Sequence, residues 1–549
     1  MKILYKIINF IKRIPILGKL LIILGTKLLY LAWKIPYVRM LINRLATNFL
    51  ASSTTPRPRP YSLWSPDPNP GEGITDYTSW PALTNKRFSG RHLPPAEPAY
   101  TNSLPNDIPY DRNAKKSGAI TVLFERKGSM ITDRSSLLFM FFAQWFTDSV
   151  LRIDPSDRRK NTSNHDIDLC QIYGLTEETG RLLRTMKDGK LKSQMINNEE
   201  YLDYLCESDG RGGWKVKECY KKLYSRDIDI DLDKFLDKIL EGFDKSRREK
   251  LYATGLERGN SSVGYVAIST LFMREHNRIC DQLKLENPTW DDERLFQTAR
   301  MINTVILLKL VIEDYINHIS GRKLFYLDVG FAEKQNWYRI NWITLEFDLL
   351  YRWHGLVPDE IKVNEKNYQA EEYRNNNALF EQAGLTSIIT SASKQPAGRI
   401  GLFNTPDFLW EAEYFSIKMS RDYRLHSYND YREQFSLNRF NSFNDLTKDK
   451  ELQATLRKLY GDIEKVEFLV GLFAEDRDNN SLFGELLNRM VAYDALTQIY
   501  TNPLLSKNIF NEKTFTAYGL KLISETNSVR DLAKRNISSD QELIVSFSI

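Results

Sequence analysis

The chain has 549 residues, of which 42% are apolar, 27% charged and 12% aromatic, and its formal net charge is +5. It is too long for one small core and has the balance of a well-packed protein. Four cysteines (Cys170, Cys206, Cys219, Cys280) without a CxxC pair exclude a disulfide framework and argue against a zinc site.

The basic excess belongs to the N-terminus: Met1–Leu50 carries nine Lys or Arg and no Asp or Glu. Ile, Leu, Tyr and Trp crowd between the cations. A spanning helix needs roughly 20 nearly uncharged residues. Here Lys19, Lys27 and Lys34 interrupt every window, and Pro15, Gly18, Gly25 and Pro36 divide the stretch into short helices. No small-residue cleavage site follows, which sets a signal peptide aside. The apolar content exceeds anything phosphate binding needs, so no nucleic acid is expected as a partner. Residues 1–50 are therefore expected to be monotopic amphipathic helices in a membrane interface, making the protein peripheral to the membrane. Residues 51–75, which include ASSTTPRPRPYSLWSPDPNPGE, read as a proline-rich connector.

From 76 to 549 the pattern is mainly α, in one large catalytic domain. Apolar residues keep helical spacing over Ser135–Ile153, Ser261–Leu283, Asp292–Ser320, Trp342–His354 and Lys450–Leu459, whereas strand alternation is scarce and short. GRGG at Gly210–Gly213 lacks the context of a phosphate loop, and no HExxH is present. Six histidines occur (His92, His165, His276, His318, His354, His426), and spacing alone does not choose a ligand among them. One local pair is distinctive. Tyr351 and His354, in LEFDLLYRWHGLVPD, are expected on one face of a helix with Cβ atoms roughly 5–6 Å apart. If His354 bound a metal cofactor, Tyr351 would stand at its edge, where a phenol can lose an electron and a proton. A phenol that only packs and bonds a carbonyl is the alternative.

That segment closely resembles the proximal-haem helix of the cyclooxygenases. Four further blocks agree in the same order: DIDLCQIYG with KDGKLKSQ within 166–194, the run 251–300, LYGDIEKVEFLVGLFAEDRDNNSLFGE at 459–485, and the final VSFSI. The sequence is similar to the cyclooxygenase and fatty-acid dioxygenase branch of the animal-type haem peroxidases. The resemblance implies the helical haem-peroxidase fold and haem b, with His354 as proximal ligand to the iron. It implies that Asn429 hydrogen-bonds behind that imidazole, that Tyr351 becomes the radical that abstracts hydrogen, and that Tyr315 hydrogen-bonds Tyr351. Gln144 matches the distal glutamine.

Departures from the family pattern shape the remaining expectations. Asp148 stands where a distal His belongs. A buried carboxylate does similar proton work if its pKa is raised, but weak peroxidase turnover is the favoured expectation. Arg322, after Ser320-Gly321, replaces a tyrosine and is expected to grip the substrate carboxylate, with Arg44 as a second partner. Ala495 falls on the aspirin-sensitive serine, altering the channel wall opposite Tyr351. Calcium is not expected, because Ser149, Asn164, Asp166 and Cys170 match the calcium loop poorly. A homodimer stays open. The implied activity is a haem-dependent dioxygenase adding O2 to an unsaturated fatty acid through a tyrosyl radical, giving a hydroperoxide or an endoperoxide. Its competitors are a haem peroxidase oxidising small reductants with hydrogen peroxide or lipid hydroperoxides, and a haem-binding membrane protein with neither activity.

Overall fold

The computed structural model describes residues 34–54 and 87–549, apart from 107–117, 119, 155–156, 226–229, 340–341, 479 and 539–541. The expected membrane helices before residue 34 and the connector from residue 55 lie outside the described residues. Within them the fold is mainly helical, and strands occur only in four two-stranded antiparallel sheets.

Helix α1 (Pro36–Ala51) starts with proline at its first position, where the missing N–H costs nothing. It buries Asn43, Thr47 and Ala51 and leaves Tyr37, Leu41 and Leu45 exposed, one apolar stripe at i, i+4, i+8. The core is built from α2 (Leu137–Thr147), α3 (Val263–Glu286) and α4 (Asp292–Leu310), with α3 packed against both of the others. The contact between α2 and α3 is close: a Cβ on Gly264 would lie 2.1 Å from the Phe141 ring. Trp145 stacks on Phe272 at 4.7 Å and donates its indole N–H to Ser269 Oγ at 2.9 Å.

Helix α4 runs on through a π-helical turn (Val311–Ile316) and one last α turn (Asn317–Ser320), ended by the left-handed Gly321. This span is long and apolar enough to cross a membrane, yet 83% of its most apolar window is buried inside the protein, which makes it a core helix.

Strand β1 (Thr132–Ser136) leads into α2 and pairs with β8 (Pro396–Gly398). The final residues join it: Ser136 N donates to Phe547 O at 2.8 Å, so the VSFSI block braces the start of α2. Hairpins β2–β3 (Ser193–Ile196, Glu199–Leu202), β4–β5 (Cys206–Ser208, Trp214–Val216) and β6–β7 (Glu360–Val363, Lys366–Gln369) complete the strands. All four cysteines are free thiols; only Cys219 is exposed.

The expected helix Trp342–His354 is shorter. Thr344 caps α5 (Leu345–Leu350), accepting from Phe347 N, and the backbone leaves the helix at Tyr351 and Trp353 before a 3-10 turn at His354–Leu356. Tyr351 and His354 therefore do not share a helical face. Downstream, α6 (Trp410–Asp422) lines the site region, and α7 (Glu485–Tyr500) packs against both α1 and α5.

Candidate active site

A cavity of about 570 Å³ is lined by α2, by the segment after α5 and by α6. Every residue of α2 from Leu137 to Phe146 is buried except Gln144. Gln144, Thr147 and Asp148 share one helical face (i, i+3, i+4) and line the cavity. Gln144 Nε2 donates to Ser261 Oγ at 3.3 Å.

His354 lines the same cavity. Its Nδ1 lies 2.8 Å from Glu413 Oε1, which also accepts from Thr405 Oγ1 at 2.8 Å. Glu413 is buried in the first turn of α6, where the helix dipole favours a carboxylate. A carboxylate accepts only from a protonated Nδ1, so the lone pair resides on Nε2, the tautomer a metal ligand requires. The partner behind the imidazole is thus Glu413 and not Asn429. Asn429 is committed elsewhere: its Nδ2 donates to Phe440 O and Glu464 Oε1 and its Oδ1 accepts from Phe440 N, all at 2.9 Å.

Asp148 Oδ2 is buried without a hydrogen-bond partner. Burial pushes its pKa up to about 6, opposed chiefly by the charge of Arg258, while Glu257 pushes further upward. Arg258 also lines the cavity, and the Asp148 charge in turn holds its proton more tightly. Arg152 pairs with Glu257 at 2.7 Å and keeps that carboxylate in place. Sequence reasoning missed both Arg258 and Glu413. The first stood in the ATGLERGN stretch with no motif to single it out; the second lies 59 residues from its partner, without a local signal.

Tyr351 lines the same cavity as His354, and its phenol oxygen is buried without a partner. Burial, then the charge of Asp494, raises its pKa, so the phenol stays protonated until oxidised. The expected hydrogen bond from Tyr315 is absent, and the Tyr315 phenol is likewise unpartnered. Trp353 contacts both rings instead. Its ring centroid lies 4.7 Å from Tyr351 and 6.4 Å from Tyr315, and its indole N–H is tied to Leu350 O at 2.6 Å.

The expected carboxylate anchors, Arg322 and Arg44, stand in different surroundings. Arg322 is exposed and lines a separate cavity of about 490 Å³ with Arg134, Asp314, Lys323 and Arg530, because the left-handed Gly321 ends the helix and turns the chain aside. Arg44 forms a bidentate pair with Asp328, Nε to Oδ2 at 2.6 Å and Nη2 to Oδ1 at 3.2 Å. Ala495 is buried on α7, beside Asp494.

The cavity fits haem. His354 offers a ligand nitrogen whose tautomer is set from behind, and Asp148 brings an unpartnered oxygen to the same cavity. Arg158, Arg352 and Arg374 line the cavity as candidate partners for propionates. The Arg158 pKa is lowered by burial and then by Arg352, the behaviour of neighbouring cations that an anion would relieve.

The family model described as animal haem peroxidase matches residues 142–544. Prostaglandin G/H synthase 2 of Equus caballus is 33% identical over 468 residues, covering 84% of this chain and 72% of that protein. Prostaglandin G/H synthase 1 of Rattus norvegicus is 34% identical over 467 residues, covering 82% and 71%. Among solved structures, the fatty acid alpha-dioxygenase of Oryza sativa superposes with a TM-score of 0.68 at 19% identity, covering 98% of each chain. Peroxidase A from Dictyostelium discoideum gives 0.62 at 18%, covering 84% of this chain and 95% of that one. At those identities the superpositions establish the fold.

Proposed function

The chain belongs to the animal haem peroxidase family, and from that premise we propose that it is a haem-dependent dioxygenase that adds O2 to an unsaturated fatty acid. The observation that carries this reading is the Tyr351 phenol, buried and unpartnered on the wall of the cavity that His354 also lines. His354 Nε2 would hold the haem iron, with the cavity arginines on its propionates. Bound there, haem supplies the one-electron oxidant that peroxide generates.

The chain's own residues do the rest. Asp148 Oδ2 holds the proton of an incoming hydroperoxide, with Arg258 beside it to balance charge. Tyr351, as a phenoxyl radical, takes a hydrogen atom from an allylic carbon: the C–H bond breaks as the phenolic O–H forms. O2 adds to the carbon radical, and the resulting peroxyl recovers a hydrogen atom from Tyr351. The sum is RH + O2 giving ROOH, with the tyrosyl radical regenerated; the endoperoxide, from a second O2, is the alternative outcome. Trp353 holds the Tyr351 ring in one orientation by packing, in place of a hydrogen bond. Oxygen uptake by haem-loaded protein given linoleate and a trace of hydroperoxide tests the reading.

Gln144, Asp148 and Arg258 on one wall also favour a second reading, a peroxidase acting on small reductants. Both readings share a pH signature. Asp148 accepts a proton only as the carboxylate, so with its pKa near 6 the peroxide-dependent step should accelerate as pH rises through about 6. Asp148→Asn should remove that inflection and slow the step by roughly 10²–10⁴-fold. A profile unchanged in the variant would remove Asp148 from the chemistry.

The apolar stripe Tyr37, Leu41 and Leu45 on α1 supports a membrane-surface location together with the basic residues before it. Replacing all three with Ser should weaken co-sedimentation with anionic vesicles by at least about tenfold and leave haem binding unchanged. Equal sedimentation would mean that α1 takes no part.

A further inference from the structure

The end of α2 meets the start of α3 beside the cavity, and the junction brings two side-chain pairs together. Gln144 and Asp148 stand one turn apart at the end of α2, Ser261 and Tyr265 four residues apart at the start of α3. The first pair is bonded, Gln144 Nε2 donating to Ser261 Oγ at 3.3 Å. The second pair is open. Asp148 Oδ2 and the Tyr265 phenol oxygen are both buried without a hydrogen-bond partner. They are close enough to act on each other. Burial and then the Asp148 charge push the phenol well above its ordinary range, and the phenol helps to hold the carboxyl down.

Tyr265 is placed to act through Asp148 and not on a substrate. It is 0% exposed and does not line the cavity, whereas Asp148 does. The cap of α3 fixes its backbone, Ser262 Oγ accepting from Tyr265 N at 3.3 Å. The other groups that influence the phenol are engaged elsewhere. Glu257 is paired with Arg152 at 2.7 Å, and Cys170 donates its S–H to Ser149 O at 3.5 Å. Asp148 is the acceptor that remains. A phenol held so far above its ordinary pKa keeps its proton, so it can only donate, and a donor favours the ionised carboxyl.

That contribution bears on the form Asp148 takes near neutrality. Burial drives the carboxyl toward its protonated form, and Glu257 adds to it. Arg258 opposes them first, then Tyr265 and Arg152, and the balance stands at about 6. A group balanced there changes its charged fraction when any one opponent is lost. The charged form is the one that takes a proton from a hydroperoxide.

We propose that Tyr265 is a positioning residue for the peroxide-dependent step: its phenol closes a hydrogen bond to the charged Asp148, and the pair stands in for the absent distal histidine. This deepens the reading of Asp148 as proton acceptor and rests on it. The peroxide proton passes to Asp148 while the phenolic proton stays on Tyr265. A carboxylate has lone pairs for both partners.

The test uses the haem-loaded full chain, Tyr265→Phe, Asp148→Asn and the double variant, with the peroxide-dependent change in the haem spectrum timed across the range in which Asp148 titrates. An unchanged resting spectrum certifies folding. In the parent the step should accelerate as pH rises through about 6. In Tyr265→Phe the inflection should move up by about one pH unit, a loss of roughly fivefold in rate at the parent's inflection that fades at high pH. The same substitution should add nothing to Asp148→Asn. Infrared titration reads the pair without turnover: the carbonyl band of protonated Asp148, assigned by its loss in Asp148→Asn, should persist about one pH unit higher in Tyr265→Phe. A tyrosine C–O band should also move as Asp148 titrates in the parent and stay still in Asp148→Asn, a signature that needs no Tyr265 variant. An unmoved inflection, an equal loss at every pH, or a tyrosine band indifferent to Asp148 overturns the proposal. A steep parent profile with an unmoved carbonyl band removes Tyr265 alone. A flat parent profile with a shifted band removes Asp148 from the chemistry, and the pair with it.

Discussion

Replacing Tyr351 with Phe is expected to lower lipid-dependent oxygen uptake by roughly a thousandfold or more, the scale of loss when a reacting group is removed, while the haem spectrum stays that of the parent. The substitution deletes one oxygen and keeps the ring, so the contacts with Phe347 at 4.8 Å and Trp353 at 4.7 Å survive. Because that oxygen has no partner, its loss breaks no hydrogen bond. Stability should change by less than about 1 kcal/mol, and a small gain is consistent with removing an unmet buried hydroxyl. Activity and stability therefore separate: an oxygen electrode reads the first and thermal unfolding the second. Uptake that persists at a tenth of the parent rate or more would show that the radical is carried elsewhere.

His354→Ala is expected to abolish retention of haem through gel filtration, because the cavity then has no nitrogen ligand on that wall. Glu413→Ala should act on the same equilibrium more weakly, by about 10–100-fold in haem affinity, as loss of a ligand's orienting partner does. Glu413 is buried and also holds Thr405, so some loss of stability accompanies it. Titration of the apoprotein with haem, followed at the Soret band, measures both. Undiminished binding in His354→Ala would assign the ligand to another residue, and equal losses in the two variants would mean that Glu413 acts by supporting the fold.

The helical class and the Tyr351/His354 pair were legible because they depend on local pattern. Apolar periodicity located α3 and α4 to within a few residues, and the block LEFDLLYRWHG identified the segment that lines the cavity. The geometry of the pair was not legible. A three-residue spacing describes one face only while the helix continues, and here it stops at Leu350. The structure therefore reaches a shared cavity wall by a turn, with the Trp353 ring brought against Tyr351. Long-range partners were out of reach for a different reason. Glu413 and His354 meet through the packing of α6 against the site, which leaves no trace in spacing, and so the polar residue assigned by resemblance, Asn429, was the wrong one. The surroundings of the expected anchors were out of reach for a similar reason. Arg322 and Arg44 are well-placed charges in sequence, but a left-handed glycine turns one away and Asp328 occupies the other. Buried unpartnered atoms such as the Tyr351 phenol oxygen are invisible before folding, since they are defined by what fails to surround them.

The free thiols acquire a chemical meaning beside this activity. A catalyst that releases lipid hydroperoxide bathes itself in an oxidant that attacks thiolates far faster than thiols. Burial holds Cys206 up to about 11 and raises Cys170 and Cys280 as well. The latter two also donate their S–H to backbone carbonyls, of Ser149 and Gly189. Three of the four sulfurs are thus kept in the inert form by the same burial that packs the core. Only Cys219, on the surface just beyond β5, lacks that burial and is open to the oxidant.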